Sequence, residues 1–568
     1  MGNCFSAKKN ISLFRVTVNV CCMKKFLFLV LILLQMSYQS IELKAQTDQL
    51  KLNSLGYLPQ SQKKATVTAP ATEFQVINSQ TGKVAFQSKL SGPIYQKDID
   101  QKVWIADFSK LTQPGKYMLQ VQGVGKSYEF TIGSDVYKVP FITSMRGFYL
   151  WRCGMAVHSN YNGNHYETKA CHLEDGWMDY EGKPNTQRDG TGGWHDAGDF
   201  GKYTVNAGVT MGVLFNAWDH FGDKLKNISL DIPQTAPGMP DFLQEMKWET
   251  DFLLKMQYAD GSGRVSHKLT RKAFAPFIMP QDDHEKRYFT EWSSAATADF
   301  VAIMAMAARY FKPYDAIYAK KCLDAARLSY HFLIANPAPK DFVQGDFSTG
   351  SYQTGDVDDR LWASAEMWET TGDVSCLIDL ESRISKLKTL VAENWDWGDV
   401  NNLGVFTYAL SKREGKNIQL QAKVTQAIVI SANQLVKNAQ TDVYARPLGN
   451  RYYWGCNGTV GRQALNLQVA NIISPDKKYT DTSFDIVAHL FGRNYYGRSY
   501  VTGLGVRPPM FPHDRRSGAD GIEAPWPGYL VGGGRSATDW VDKQEDYSRN
   551  EIAINWQAGL VYALAAEL

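Results

Sequence analysis

Near residue 135 the chain changes its hydrophobic period, and one layer of secondary structure cannot hold both halves. Residues 46–135 carry short β-branched or aromatic runs at 63–69, 74–77, 84–87, 103–108, 117–122 and 128–132, punctuated by Thr81-Gly82 and Gln113-Pro114-Gly115. That spacing predicts a small β-sandwich. Residues 136–568 read with a helical period instead: within 242–257, after Pro240-Asp241, Leu243, Met246, Leu253 and Met256 share one face, and 295–310, 361–370 and 419–438 behave alike. More than four hundred residues of helices separated by Gly- and Asp-rich loops predict an all-α domain of paired helices, with its site in the loops. At 568 residues the chain exceeds one ordinary core, and the short linker at 133–140 predicts that the two domains pack together.

Residues 1–45 are read as an upstream segment and signal peptide. Met23-Lys24-Lys25 followed by the apolar run 26–34 has the form of a secretory signal, with Leu43-Lys44-Ala45 as a cleavage site. Export to the periplasm, cell surface or medium is expected. Met1-Gly2-Asn3-Cys4-Phe5-Ser6 also fits an N-myristoylation pattern, which conflicts with export. No permanent membrane helix is expected, since no stretch reaches about 18 continuous apolar residues.

The formal charge of +3 is concentrated in residues 1–45, which hold six basic residues and one acidic residue; removing that +5 leaves about −2 for the remainder. A near-neutral surface excludes a nucleic-acid partner, which would need a basic stripe. The 15 Trp and 29 Tyr suit a sugar-stacking cleft, although aromatic residues also build cores.

Two distant segments carry the chemistry. Gly192-Gly193-Trp194-His195-Asp196-Ala197-Gly198-Asp199 presents a carboxylate pair, and Asn550-Glu551-Ile552-Ala553-Ile554-Asn555-Trp556 presents a third acid ahead of a helix. Hydrolysis of a glycosidic bond needs one carboxyl to protonate the leaving oxygen and another to activate water. Each fragment has a plainer reading. Ser548-Arg549-Asn550-Glu551 fits a helix capping box, and the aspartate pair fits an Asx-turn or an oxygen-ligand loop.

Further segments add to these. Leu52-Asn53-Ser54-Leu55-Gly56-Tyr57-Leu58-Pro59 precedes the strands, and Ser499-Tyr500-Val501-Thr502-Gly503-Leu504-Gly505-Val506-Arg507 runs on to Pro512-His513-Asp514-Arg515. With the aspartate loop and the terminal segment 540–558, they resemble the family 9 glycoside hydrolases, in the subgroup with an immunoglobulin-like module before an (α/α)6 barrel. The resemblance implies domains at 46–135 and 136–568 and a secreted, inverting endo-β-1,4-glucanase acting on cellulose-type, mixed-linkage or xyloglucan chains. It implies Asp199 as general base, Asp196 holding the attacking water, and Glu551 as general acid. An inverting pair stands about 6.5–9.5 Å apart. His513 and Arg515 are expected to donate hydrogen bonds to sugar hydroxyls, and Trp454 in Tyr452-Tyr453-Trp454-Gly455 to offer a ring face. Asp546 is expected to tune the acid or bind sugar, or else to be a solvated helix-entry carboxylate. Asp514 stands where family members often carry His, and Gln557 where Asn is usual. Pro280-Gln281-Asp282-Asp283 and Arg287-Tyr288 resemble a cleft-side loop.

Cys153, Cys171, His172 and His195 offer two thiolates and two imidazoles, a donor set suited to closed tetrahedral zinc. The resemblance implies structural zinc there, pinning the loop that carries Asp196; a Cys153–Cys171 disulfide is the rival. Calcium is implied at Asp356 and Asp358, whose alternative is a helix-start acid cluster. No organic cofactor is expected, and a monomer is. Two other functions stay open: an exo-acting β-glucosidase or glucosaminidase on this scaffold, and a non-hydrolytic glycan-binding protein.

Overall fold

The computed structural model describes residues 46–568, so the signal, the cleavage site and the myristoylation pattern lie outside the described residues. Two antiparallel sheets form first. One has the order β1-β2-β6-β5, from β1 (Leu50–Lys51), β2 (Lys64–Val67), β5 (Ser91–Gln96) and β6 (Gln101–Asp107). The other has the order β4-β3-β7-β8, with β9 also on β7, from β3 (Glu73–Asn78), β4 (Val84–Lys89), β7 (Gly115–Val121), β8 (Gly125–Lys126) and β9 (Phe130–Ile132). Alternation does the packing: Tyr117, Leu119 and Val121 of β7 are buried while the residues between them are half-buried or exposed. Tyr57, Phe108 and Phe130 meet edge-on in the core, with centroids 5.3 and 5.5 Å apart. β5 is a strand that the turn signals hide. It carries Gly92 and Pro93, lies at a sheet edge, and shifts register against β6 between Ser91 and Ile94.

Twelve long helices follow among the described residues: α1 (Lys138–Leu150), α2 (Thr204–Leu225), α3 (Asp241–Met256), α4 (Ser294–Phe311), α5 (Ala316–Ala335), α6 (Val357–Thr371), α7 (Val374–Ile384), α8 (Asn401–Leu410), α9 (Ile418–Thr441), α10 (Cys456–Ile473), α11 (Lys477–Leu490) and, after the single turn α12 (Tyr547–Asn550), α13 (Ile554–Ala566). Alternate helices α2, α4, α6, α8, α10 and α13 touch in that order, and α13 closes on α2. The other six pack outside, giving an (α/α)6 barrel. Inner helices are apolar on most faces; α13 buries every residue from Ile554 to Ala565. α10 and α13 cross at glycines, where a Cβ on Gly461 would sit 2.7 Å from the Gly559 carbonyl carbon.

The sandwich docks on the barrel through main chain and buried polar pairs. Ser54 N–H and Oγ both donate to the Phe491 carbonyl, at 2.9 and 2.6 Å, and Thr66 Oγ1 donates to Val443 O at 2.6 Å. Gln62 and Arg493 share Asp485. Residues 48–568 form one compact unit. No described helix is long and apolar enough to cross a membrane.

At one mouth of the barrel lie the hairpin β10 (Val157–Tyr161) and β11 (Asn164–Thr168), and a short ribbon of β12 (Lys202–Tyr203), β13 (Lys268–Thr270) and β14 (Tyr288–Phe289). β12 runs straight into α2, so the aspartate loop enters the inner ring without a linker.

Candidate active site

Residues 192–201 turn tightly on glycines. Gly192 and Gly193 have φ of 89° and 74°, a region favouring glycine, and a Cβ on Gly198 would lie 2.0 Å from the His513 carbonyl oxygen. That close approach joins the two distant segments. Arg515 N–H and Nη1 donate to Gly198 O at 3.1 and 2.7 Å, Ile554 N–H donates to Asp196 O at 2.9 Å, and Ala197 bridges Ala553. Glu551 in turn bridges His513 and accepts at its carbonyl from Gly532 N–H, at 2.9 Å. The three acids thus hang on one stitched backbone.

Their surroundings differ. Asp199 Oδ2 accepts from Gly201 N–H at 3.1 Å and from the Tyr203 hydroxyl at 2.9 Å. Asp196 accepts from Asn206 Nδ2 at 2.7 Å and the Tyr352 hydroxyl at 2.6 Å, yet burial, then the Asp199 charge, pushes it up to about 8. Glu551 is raised well above the usual carboxylate range by burial and then by Asp199 and Asp196; Arg515 and the Trp454 indole work against that rise. Burial and the neighbouring carboxylates thus favour the protonated form of Glu551. The capping-box reading fails: Glu551 follows α12 in extended backbone (φ −72°, ψ 159°), Ser548 Oγ donates to Asp546, and α13 starts only at Ile554.

His513 lies beside these acids, with Nδ1 2.7 Å from the Gln544 carbonyl. A carbonyl can only accept, so Nδ1 carries the proton; burial first, then Arg515, lowers the ring's affinity for a second one. Its Nε2 is left as an acceptor. Arg515 Nε donates to Ala275 O at 2.6 Å, so its guanidinium ties the segment around Ala275 to the aspartate loop that it holds at Gly198 O. Trp454 is 45 % exposed and meets Tyr547 edge-on at 5.4 Å. Tyr547 and Phe277 both flank His513, extending an exposed aromatic rim that the motifs did not reveal. Asp546 opens α12 and pairs with Arg549 and Ser548. Asp514 is buried and grips Arg516 and Ser517. Gln557 ties α13 to Ser144 O and Gly528 O, each at 2.7 Å, and accepts from Leu530 N–H. Its longer side chain spans three segments of the core.

All five cysteines among the described residues are free, so no Cys153–Cys171 disulfide is present. Cys153, Cys171, His172 and His195 instead bring one ligand atom each to within 4.8 Å of one another. Cys153 Sγ is 3.5 Å from His172 Nδ1, Cys171 Sγ 3.8 Å from His195 Nε2, and the two ring nitrogens 3.4 Å apart. Burial lowers His195 to about 4, leaving a neutral imidazole, the ligating form. The far nitrogen of His172 faces Asp283 at 3.4 Å, and Arg271 holds Asp283 at 2.6 Å. Asp283, grouped with a cleft-side loop by sequence, thus backs a ligand set that could hold a metal ion. The expected calcium ligands open α6: Asp356 accepts from Arg360 Nε at 2.6 Å and Asp358 from Val400 N–H at 2.8 Å. Burial chiefly, with Asp399 adding, raises Asp358 to about 6.

Tyr203, Asn206 and Tyr352 are the residues that sequence motifs missed. Tyr203 follows the aspartate loop directly and could have been suspected. Tyr352 lies 156 positions from its partner, and its only local sign is a left-handed backbone (φ 42°), a strain that no composition reveals.

The chain matches the model of "Glycosyl hydrolase family 9" over residues 137–564 and that of "Cellulase N-terminal ig-like domain" over 45–126. Endoglucanase D of Acetivibrio thermocellus is 52 % identical over 518 residues, covering 91 % of this chain and 83 % of the relative. A xyloglucan-specific endo-beta-1,4-glucanase of Bacteroides ovatus is 30 % identical, covering 92 % and 94 %. A solved zinc-binding triple mutant of a family 9 endoglucanase superposes with a TM-score of 0.83 at 31 % identity, covering 90 % of this chain and 99 % of that one.

Proposed function

The chain belongs to glycosyl hydrolase family 9, and on that premise we propose that it is an inverting endo-β-1,4-glucanase in which Asp199 is the base and Glu551 the acid. Glu551 gives its proton to the leaving glycosidic oxygen as the C–O bond breaks. A water held by Asp196 and Asp199 attacks the anomeric carbon from the opposite face, and its proton goes to Asp199. The contrast between the two surroundings carries this reading: Asp199 accepts two hydrogen bonds that favour its anion, whereas burial and neighbouring negative charge keep Glu551 protonated.

Around that pair, Trp454 and the rim of Tyr547 and Phe277 are read as faces for pyranose rings, with His513 Nε2 accepting from a sugar hydroxyl and Arg515 donating from its remaining edge. Asp546 is read as the helix-entry carboxylate its contacts describe. The Cys153, Cys171, His172 and His195 set fits structural zinc. Zinc at about 2.3 Å from sulfur and 2.0–2.1 Å from nitrogen would space tetrahedral ligands about 3.3–3.8 Å apart; the three contacts described above measure 3.4–3.8 Å, and all four atoms lie within 4.8 Å of one another. When bound, it would neutralise the thiolates and fix His195, next to Asp196. Asp356 is paired with Arg360 and Asp358 accepts from Val400 N–H, and among the described residues neither joins a group of three His, Cys, Asp or Glu ligand atoms, so the pair is read as the helix-start acid cluster.

The domain division at 46–135 and 136–568, export, and a monomeric state complete the proposal. Release of reducing ends from barley β-glucan, xyloglucan and carboxymethyl cellulose tests it, with viscosity followed in parallel. Early viscosity loss is the expected outcome. End-trimming without viscosity loss favours the exo-acting alternative, and no turnover that Asp199→Ala or Glu551→Gln removes favours a binding protein.

A further inference from the structure

Lys268 of β13 is fully buried, yet its hydrogen-bond acceptors are neutral. Its ammonium donates to Gln344 Oε1 at 2.9 Å, Thr349 Oγ1 at 3.2 Å and Gly350 O at 2.8 Å. A cation taken from water without a paired carboxylate is costly. Burial lowers it to about 7, and the charge that draws it back up is Asp199. The cradle leads to the same place. Gly350 N–H donates to the Tyr203 hydroxyl at 3.2 Å, and Tyr203 donates to Asp199 Oδ2 at 2.9 Å.

Proton directions along this chain are forced. An ammonium has no lone pair, so Thr349 Oγ1 and Gly350 O accept from it; a peptide N–H only donates, so the Tyr203 oxygen accepts from Gly350. Burial, with Asp199 adding, holds the Tyr203 phenol well above its ordinary value, so it keeps its proton and offers it to the carboxylate. Two glycines make the room. A Cβ on Gly201 would lie 2.3 Å from the Tyr203 hydroxyl, and one on Gly350 3.2 Å from its ring.

We propose that Tyr203 and Lys268 are positioning residues for the general base: Lys268 pins the 349–350 segment, the Gly350 N–H of that segment donates to the Tyr203 hydroxyl, and Tyr203 donates to Asp199 Oδ2, which favours its ionised form and leaves Oδ1 to take the proton from water. The Gly350 N–H polarises the Tyr203 hydroxyl that accepts from it, while the Lys268 charge reaches Asp199 through space. This rests on the reading of Asp199 as the base. Other titratable or charged groups facing Asp199 are Asp196 on its own loop and His513, Arg515 and Glu551 on the C-terminal segment. His267 beside Lys268 is lowered to about 3 by burial and stays neutral.

The test is the pH profile of kcat/KM on soluble β-glucan for the full-length wild type, Asp199→Ala, Tyr203→Phe, Lys268→Met and the double variant, with thermal midpoint and zinc content as checks of folding. Asp199→Ala abolishes hydrolysis. Tyr203→Phe and Lys268→Met each lower kcat roughly tenfold with little change in KM and move the acidic limb up by about one pH unit. The double variant falls short of the sum of the two, because Lys268 acts in part through the segment that holds Tyr203. If Tyr203→Phe superimposes on wild type while Asp199→Ala is inactive, the proposal is overturned and the base assignment stands; if Asp199→Ala stays active, the base assignment itself falls. Should Lys268→Met fail to fold, Thr349→Val combined with Tyr203→Phe replaces it, and additive shifts overturn the chain.

Discussion

The aspartate loop and the Glu551 segment contribute the same functional group by opposite means. Asp199 accepts from Gly201 and Tyr203, while its neighbour Asp196, in spite of donors from Asn206 and Tyr352, is pushed up to about 8 by burial and by the Asp199 charge. The loop between them and Cys153 is further tied down by His195 and by Glu249, which accepts from Trp194 N–H at 2.7 Å. Glu551 is positioned by main-chain bridges on either side and has the Trp454 indole as a side-chain donor. Donors stabilise an anion, and burial without them stabilises the acid. A base and an acid therefore need different neighbours more than different side chains.

The largest test of that contrast is Glu551→Gln, which keeps shape and removes the proton. Turnover of glucan should fall by about 10³-fold, and far less on an aryl glycoside whose leaving phenol needs no proton. Equal losses on both substrates would break the distinction. The same variant reports on stability. Because folding raises the Glu551 value, its contribution is complete below the unfolded value of about 4.3 and fades as pH rises through the raised one. Thermal midpoint against pH should slope downward there, and Glu551→Gln should remove that part of the slope.

Next in size is loss of the metal-binding set. His172→Ala, or dialysis against a chelator, should release zinc measured by elemental analysis, lower activity by about 10- to 100-fold and lower the thermal midpoint, with the aspartate loop the first segment to exchange amide hydrogens. Loosening of the Glu551 segment first would reverse the comparison. Trp454→Ala should raise KM about fivefold, equivalent to about 1 kcal/mol of lost stacking, and, by removing the indole that works against the rise of Glu551, move the basic limb further up. Smallest is Asp546→Ala. Its solvent-screened pair with Arg549 contributes little to stability, and kcat/KM should stay within about twofold; a larger loss would make Asp546 part of the acid's surroundings.

Much of this arrangement was legible in the residues. Alternation over 117–121 and the helical face of Leu243, Met246, Leu253 and Met256 announce the sheet and the helix that form, because burial in each follows a local period. β5 escaped for a physical reason: Gly92 and Pro93 weaken a strand whose edge position tolerates them. Cys153, Cys171, His172 and His195 could be grouped by donor chemistry, but whether the thiols would face each other as a bridge or a ligand set turned on geometry. Asp283, Tyr203, Lys268 and Tyr352 act through contacts with residues from 4 to 156 positions away, and only Tyr203 lies close enough in sequence to suggest its partner.

What the sequence determined alone was composition with a local reach: two domains, their periods, and three acids with the glycines that let loops pass close together. The tertiary structure decided charge. Whether a carboxyl is ionised depends on donors and burial supplied by β12, β13, α2 and the 349–352 segment, and electrostatic free energy falls with distance in space, to which separation along the chain is blind.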